Sequence, residues 1–433
     1  MPMAISADGE WTVLGRRARV LFAPENFNVA EVTRGVAIAR RLPPDVECVF
    51  AGYSDRNREI IEEAGFEYRL LSPRLDDADA RALLALDQGR ALRNPFTDEL
   101  LAGRVASERS LIRDLRPSAV VIGATLSQFI SARAEGVPLV FVRPFAYSLA
   151  HLQAVRDSSA TGVLARTTPA RQTVDDLVAR ALTRLNRHVR PPGSFRRIAK
   201  ANGVHLDKDL VRFFTADLNL ITTAAHLLPS WVDMPPGHRV VGPVYASLPG
   251  PVPPLVNELA SRGEPVVYFA VGSSGGRELV LDVLPRLAHA PCQILAPVRE
   301  HLNPRDLAGL PANVHVTGRL PADRLGGAVD LAITHGGEGT VQTSSVQGWP
   351  FIGIPLQFEQ RFNIQRCVDY GSAVMARRRE AADVDWPALV VDALNGRRLR
   401  ARAERMALEL RSIDGPAAAA AAITELISDG WSH

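Results

Sequence analysis

Alternation constrains this chain most. Short apolar runs of strand length alternate with segments of helical period, and the series runs twice, divided by a Pro/Gly-rich stretch. In the first series "RVLFAP" (Arg19–Pro24) reads as a strand and "VAEVTRGVAIARRL" as the helix after it. "VECVFAGY", "YRLLS", "PSAVVIGA" and "VPLVFV" repeat the strand pattern, with segments such as "DRNREIIEEAG" between them. Strands alternating with helices imply βαβ units and a parallel sheet, because a parallel neighbour needs a crossover connection. Between Pro235 and Pro254, seven prolines and three glycines fall in twenty residues. Proline lacks the N–H that a helix interior or central strand requires, so this stretch predicts an interdomain linker. The alternation then restarts with "EPVVYFAVGSS", "CQILAPV", "NVHVTGRL", "LAITHGG" and "PFIGIP". The expected architecture is two open parallel-sheet α/β domains facing across a cleft. Their boundaries are 1–234 for the first, 235–254 for the linker and 255–411 for the second. A final helix over 412–433 either completes the second domain or packs back on the first. Residues 76–115 and 165–215, rich in Arg, Ala, Leu and Asp, predict helix.

Composition excludes several classes. The 433 residues are 46% hydrophobic and 22% charged, which rules out collagen-like, coiled-coil and broadly disordered chains. A net charge of +3 gives no footprint for nucleic acid or an acidic membrane surface. Cys48, Cys292 and Cys367 lie far apart, with no metal-ligand or disulfide spacing, and are expected as buried hydrophobes in a reducing compartment. The opening "MPMAISADGE" lacks the basic and apolar regions of a signal peptide, and no apolar run is long enough to span a bilayer. A cytoplasmic chain without an integral membrane segment is expected.

Two segments carry chemistry. In "LAITHGGEGT" (Leu331–Thr340) an apolar strand ends at Thr334, and His335 opens a turn rich in glycine. Gly336, Gly337 and Gly339 let backbone amides approach a ligand, and a helix starts near Thr340. Bare amides, the positive end of a helix dipole, a hydroxyl and an imidazole around one point suit a diphosphate. A ligand-free β–α turn is the plainer reading of the same residues. In "GWPFIGIPLQFEQRFNIQRCVDYGSA" (Gly348–Ala373) a strand ends at Pro355 and a short loop delivers Glu359 and Gln360 to a helix start, with Gly371 as its stop. A carboxylate beside an amide supplies the acceptors and donors that sugar hydroxyls need. Alone, Glu359 reads as a helix-start carboxylate favoured by the dipole; beside the His335 loop it reads as a sugar contact.

Together the two segments resemble the donor-binding signature of Leloir glycosyltransferases of the GT-B fold, family 1. These enzymes include macrolide and glycopeptide tailoring transferases that use UDP- or dTDP-sugars. The family pattern, roughly H-G-G-x-G-T, then G-x-P, then P-x-x-x-[DE]-Q-x-x-N, is met by His335–Thr340, by Gly348-Trp349-Pro350, and by Pro355 through Glu359-Gln360 to Asn363. "VYFAVGSSGG" is similar to the family's phosphate-side loop, and "VHVTGRLPADRLGGAVDLAITH" to the segment facing the base. The resemblance implies two Rossmann-like domains, the second binding the nucleotide sugar and the first the acceptor. It implies that His335, Thr340, Ser273 and the amides near Gly336, Gly337 and Gly339 meet the diphosphate. By the same likeness the main chain at Leu320 meets the base, and Glu359 and Gln360 hold sugar hydroxyls. It implies inversion at the anomeric carbon, no metal, and no cofactor beyond the UDP- or dTDP-sugar co-substrate.

Two departures stand out. Where the family often has a glutamate for the ribose hydroxyls, this chain has Thr343, which leaves the donor open between UDP and dTDP. The family's usual base is a histidine at the first βα turn, but no histidine precedes His151. Counting back from "RGVAIARRL" puts Glu31 at that position, as candidate base or as a dipole-favoured first-turn carboxylate, with Asp98 and His151 in reserve. The expected partners are a nucleotide sugar and a small-molecule acceptor, a natural product with a hydroxyl or amine. Nucleic acid is not expected, and homodimerisation is left open. Two other readings are a peripheral membrane transferase with a lipid-linked acceptor and a catalytically silent activator of a companion enzyme.

Overall fold

The apolar runs become strands of two separate parallel sheets. In the computed structural model, the residues described are 3–5, 11–13, 17–76, 78–79, 82–83, 96–154, 191–245, 247–248, 250–272, 275–376 and 384–428. Met3–Ile5 (β1) and Trp11–Val13 (β2) form a small antiparallel pair outside both sheets. The first sheet contains Arg19–Ala23 (β3), Glu47–Gly52 (β4), Glu67–Leu70 (β5), Ala119–Ile122 (β6), Leu139–Arg143 (β7), Leu218–Ile221 (β8) and His238–Val240 (β9). Its order is β5-β4-β3-β6-β7-β8-β9 and every pairing is parallel. The second contains Val266–Ala270 (β10), Gln293–Ala296 (β11), Val314–Val316 (β12), Leu331–Thr334 (β13), Phe351–Gly353 (β14) and Ala373–Met375 (β15). Its order is β12-β11-β10-β13-β14-β15, again all parallel. This is the GT-B arrangement of two Rossmann-like domains.

The strand sequences explain the layers. β6 (AVVI), β7 (LVFVR), β10 (VVYFA) and β13 (LAIT) are buried at every position. A strand covered by helices on both faces has no polar side to show, so it reads as a continuous apolar run. Each sheet accordingly has one apolar core on each face.

Five strands lie outside the sequence expectation: the small pair β1 and β2, and three strands of the main sheets. β8 (LNLI) holds a buried Asn219, whose amide donates to Ala216 O at 2.8 Å, so its polar residue serves a turn and masks the apolar pattern. β15 is a three-residue edge strand with no length to signal itself. β9 corrects the linker assignment: His238–Val240 lies inside the Pro/Gly-rich stretch 235–254 and adds an edge strand to the first sheet. An edge strand needs partners on one side only, so the prolines around it remove nothing the sheet uses. The next helix, Pro254–Ser261, starts with proline in its first turn, where the missing N–H has no intrahelical partner to lose.

Within 76–115 the described helix is Asp98–Leu115, capped by Thr97 Oγ1 accepting from Leu100 N at 3.2 Å. Gly371 ends the helix Phe358–Tyr370 in the left-handed region. The last helix, Gly415–Ser428, packs back on the first domain: Ala419, Ala420, Ala422 and Ile423 share a core with Val32 and Val36 of the helix Val29–Ala39. Ile423→Ala removes a fully buried side chain from that core. It should lower stability by roughly 2–5 kcal/mol in urea denaturation. An unchanged midpoint would mean that this helix does not belong to the first domain's core.

Candidate functional site

Strand order locates the site before any side chain does. In an open parallel sheet, loops leaving neighbouring strands on opposite sides open a crevice at the carboxyl edge where the order reverses. In the second sheet that point lies between β10 and β13. It is bounded by Val271–Gly272 and by the His335 turn. In the first sheet it lies between β3 and β6, bounded by the loop into helix 29–39 and by the loop after Ile122.

The second-sheet crevice is built around His335. Its ring is buried, and Nδ1–H points at Ala270 O, 3.4 Å away. A Cβ at Gly272 would lie 2.7 Å from its Cε1, and one at Gly337 2.5 Å from its Nε2, so glycine at both positions makes room for the imidazole. Gly336 adopts φ +89° and carries the turn where a side chain would strike Ile364 and Gln360 O. Thr334 Oγ1 donates to Thr340 Oγ1 at 2.7 Å, and Thr340 Oγ1 donates to Gly337 O at 2.9 Å, which fixes the turn before the helix Glu338–Gln347 begins. Burial pushes His335 down to about 4, so the free imidazole is neutral at neutral pH. His301 stands behind it, with Nε2 donating to Gly272 O at 2.9 Å.

The segment after β14 closes the same crevice. Asn363 Nδ2 donates to Gly336 O at 3.1 Å and to Glu359 Oε1, tying helix 358–370 to the glycine turn. Gln360 Oε1 accepts from Leu356 N at 2.9 Å and its Nε2 donates to Gln357 Oε1 at 2.8 Å. Both Glu359 and Gln360 are buried. Leu320 is buried beyond β12, its carbonyl accepting from Ala322 N at 2.9 Å, and Thr343 is buried on helix 338–347. Ser273 lies outside the described residues.

In the first domain, Glu31 occupies the switch point. Its Oε2 accepts from Glu25 N at 3.0 Å and from Ala124 N at 2.8 Å, so one carboxylate clamps both loops of the crevice. Burial, strengthened by the nearby Glu25 charge, outweighs the two amides and pushes its pKa up to about 7. Beneath the clamp lies a buried polar network. Arg104 Nη1 pairs with Glu25 at 2.6 Å, and its guanidinium sits 4.2 Å over the Tyr53 ring. Glu108, also pushed up to about 7 by burial, accepts from Tyr53 Oη at 2.7 Å.

The reserve candidates fare differently. Asp98 is exposed and doubly bonded to Arg197, at 2.6 and 2.7 Å, which holds it below the usual carboxylate range and leaves it poorly suited as a base. His151 is buried with neither ring nitrogen partnered, and burial pushes it down to about 4. It sits among Phe145 at 5.2 Å, Phe358 at 5.5 Å and Phe362 at 4.5 Å, rings contributed by both domains.

Sequence reasoning misses the contacts that join the domains. Glu338, the variable position of the glycine turn, pairs with Arg34 Nη2 at 3.0 Å and accepts from Thr222 Oγ1 at 2.8 Å. Gln342 Nε2 donates to Thr222 O at 2.9 Å. Arg319 reaches Asn57 Oδ1 at 3.3 Å. A helix-period signal marks Arg34 only as a surface residue, and nothing local marks its partner. Among the described residues no cluster of potential metal ligands occurs.

Known proteins match this arrangement. The family described as erythromycin biosynthesis protein CIII-like, C-terminal domain, matches residues 281–426. A PGL/p-HBAD biosynthesis glycosyltransferase of Mycobacterium tuberculosis (strain ATCC 25177 / H37Ra) is 29% identical over 403 residues, 91% of this chain and 89% of its own. A PGL/p-HBAD biosynthesis rhamnosyltransferase of Mycobacterium bovis (strain BCG / Pasteur 1173P2) is 26% identical, over 90% of this chain and 84% of its own. The crystal structure of the glycosyltransferase VinC in complex with dTDP superposes with a TM-score of 0.67 at 17% identity, over 95% of this chain and all of that one.

The His335 geometry makes a prediction about protons. With Nδ1–H turned to Ala270, neutral His335 offers Nε2 only as an acceptor, and it must gain a proton to donate to an anion. A bound diphosphate raises the imidazole pKa, so binding takes up a proton above pH about 4 and affinity increases as pH falls. Calorimetry of nucleoside diphosphate binding near pH 6.5, in buffers of different ionisation enthalpy, should show uptake in the native chain and less in His335→Ala. Equal uptake in both would remove His335 from the anion site.

Proposed function

We propose that the chain is a family 1-like GT-B glycosyltransferase that transfers a sugar from a uridine or thymidine diphosphate to a hydroxylated small molecule, with inversion, a reading supported by its likeness to named glycosyltransferases. The observation that carries this reading is the pairing of two crevices. One holds the His335 turn with Glu359 and Gln360, the other holds Glu31, and Arg34–Glu338 sets them face to face. In the second crevice the amides of the glycine turn and the start of helix 338–347 meet the diphosphate. Glu359 and Gln360 meet the sugar. Thr343 offers no carboxylate to a ribose 2′-hydroxyl, so a thymidine nucleotide fits as readily as a uridine one.

The chemistry is a single displacement. The acceptor oxygen forms its bond to the anomeric carbon as the bond from that carbon to the diphosphate breaks. The acceptor proton goes to the Glu31 carboxylate, and preorganised amides receive the charge that grows on the leaving group. The acceptor has an aromatic or apolar body, which the rings of Phe358 and Phe362 beside His151 would cover.

Two variants separate the roles. Glu359→Ala should weaken the nucleotide sugar while leaving the bare nucleoside diphosphate nearly untouched, since a site built for hydroxyls discriminates by them. Calorimetry with both ligands checks this, and equal losses would refute the assignment. Glu31→Gln should lower kcat by roughly 10²–10⁴ and leave donor affinity intact. Glu31 must be ionised to accept a proton, so native turnover should rise with pH through about 7. In Glu31→Gln that acidic limb should vanish. Near-native turnover in the variant would make Glu31 a loop clamp only.

A further inference from the structure

The glycine turn carries a charge of the wrong sign for the ligand it is read to hold. Its variable residue is Glu338, the first residue of helix 338–347, and the segment His335–Thr340 contains neither lysine nor arginine. The imidazole of that segment is neutral when free. A carboxylate suits a helix N-terminus, but beside a bound diphosphate it is a like charge in a poorly solvated place.

The other domain supplies the answer. Arg34 lies one helical turn beyond Glu31 on helix 29–39, and its Nη2 reaches Glu338 Oε2 at 3.0 Å, with the two side chains 12% and 7% exposed. Thr222 and Thr223 donate to the same carboxylate at 2.8 and 3.4 Å, and Gln342, one turn further along helix 338–347, donates to Thr222 O at 2.9 Å. The carboxylate is thus gripped by two separate segments of the first domain, the β8 end and the helix that bears Glu31.

We propose that Arg34 is a positioning residue for the transfer: through Glu338 it cancels the donor turn's own negative charge and holds that turn against the helix carrying Glu31. The role rests on reading the His335 turn as the diphosphate site. It does not depend on Glu31 being the base. Arg34 acts in two separable ways, by charge on the affinity for diphosphate and by tethering on the rate of transfer.

The test is a double-variant cycle on the full chain. Kd for UDP and dTDP is measured by calorimetry, and kcat with a nucleotide sugar, for Arg34→Met, Glu338→Gln and the two together. Circular dichroism and thermal melting establish that each is folded. Arg34→Met leaves the buried Glu338 without a counter-charge, held only by the Thr222 and Thr223 hydroxyls, and should weaken the diphosphate at least about tenfold. Glu338→Gln alone should leave that Kd unchanged or tighter. The double variant should recover it to within about threefold of native while kcat stays low, because the charge conflict is gone and the tether is still missing. A merely structural role would not restore affinity on removing the second partner. If the double variant stays as weak as Arg34→Met, Arg34 meets the ligand itself, through the Nε that is buried without a partner, and the charge-cancelling role is overturned. If Arg34→Met binds as the native chain does, the proposal fails while the diphosphate reading stands. If the native chain binds neither UDP nor dTDP, the diphosphate reading fails and the proposal with it.

Discussion

Everything at this site depends on strand direction. Both sheets are parallel throughout, so every strand delivers its next loop to the carboxyl edge. Both reverse their order once, beside β3 in the first sheet and beside β10 in the second. One titratable residue with a strongly perturbed environment stands at each reversal: Glu31 with its clamp of amides in one, His335 between two glycines in the other. The fold makes the crevices, and the side chains only specialise them.

Burial then sorts the titratable groups in opposite directions. Withdrawal from water disfavours whichever form is charged, so it pushes Glu31 up to about 7 and His335 down to about 4. The result is a carboxylate able to take a proton near neutral pH in the first domain and an imidazole that is uncharged at that pH in the second. The Arg104–Glu25 pair below the first crevice fits the same logic. It holds the loop whose amide at Glu25 helps clamp Glu31, and its buried charges are compensated by each other and by the Tyr53 ring.

What the sequence makes legible is local. Ten strands announce themselves as short apolar-rich runs between helix-period segments, most continuously where burial is complete, as in β6, β10 and β13. The glycine turn announces itself because backbone geometry there tolerates little else. β9 and β15 are short edge strands, and β8 spends its polar residue on a turn, so none carries a clean pattern. The position of Glu31 can be counted from the helix after it, but its two amide donors lie on separate loops. Arg34 and Glu338 are 304 positions apart in the chain, and only the facing of two finished domains makes them neighbours. Asp98 shows the converse: a helix-start carboxylate that looked available is held by Arg197, 99 residues on.

The central claim is that the crevice beside β10 is a nucleoside diphosphate site made by the glycine turn. Calorimetric titration of the native chain and of Gly337→Val with UDP and dTDP tests it most directly. A side chain at residue 337 would occupy the place of the His335 ring and close the crevice without touching the first domain. The account predicts saturable one-site binding of at least one of the two nucleotides by the native chain, and its loss in a variant that remains folded. Absence of binding to both by the native chain, or undiminished binding by Gly337→Val, would contradict it.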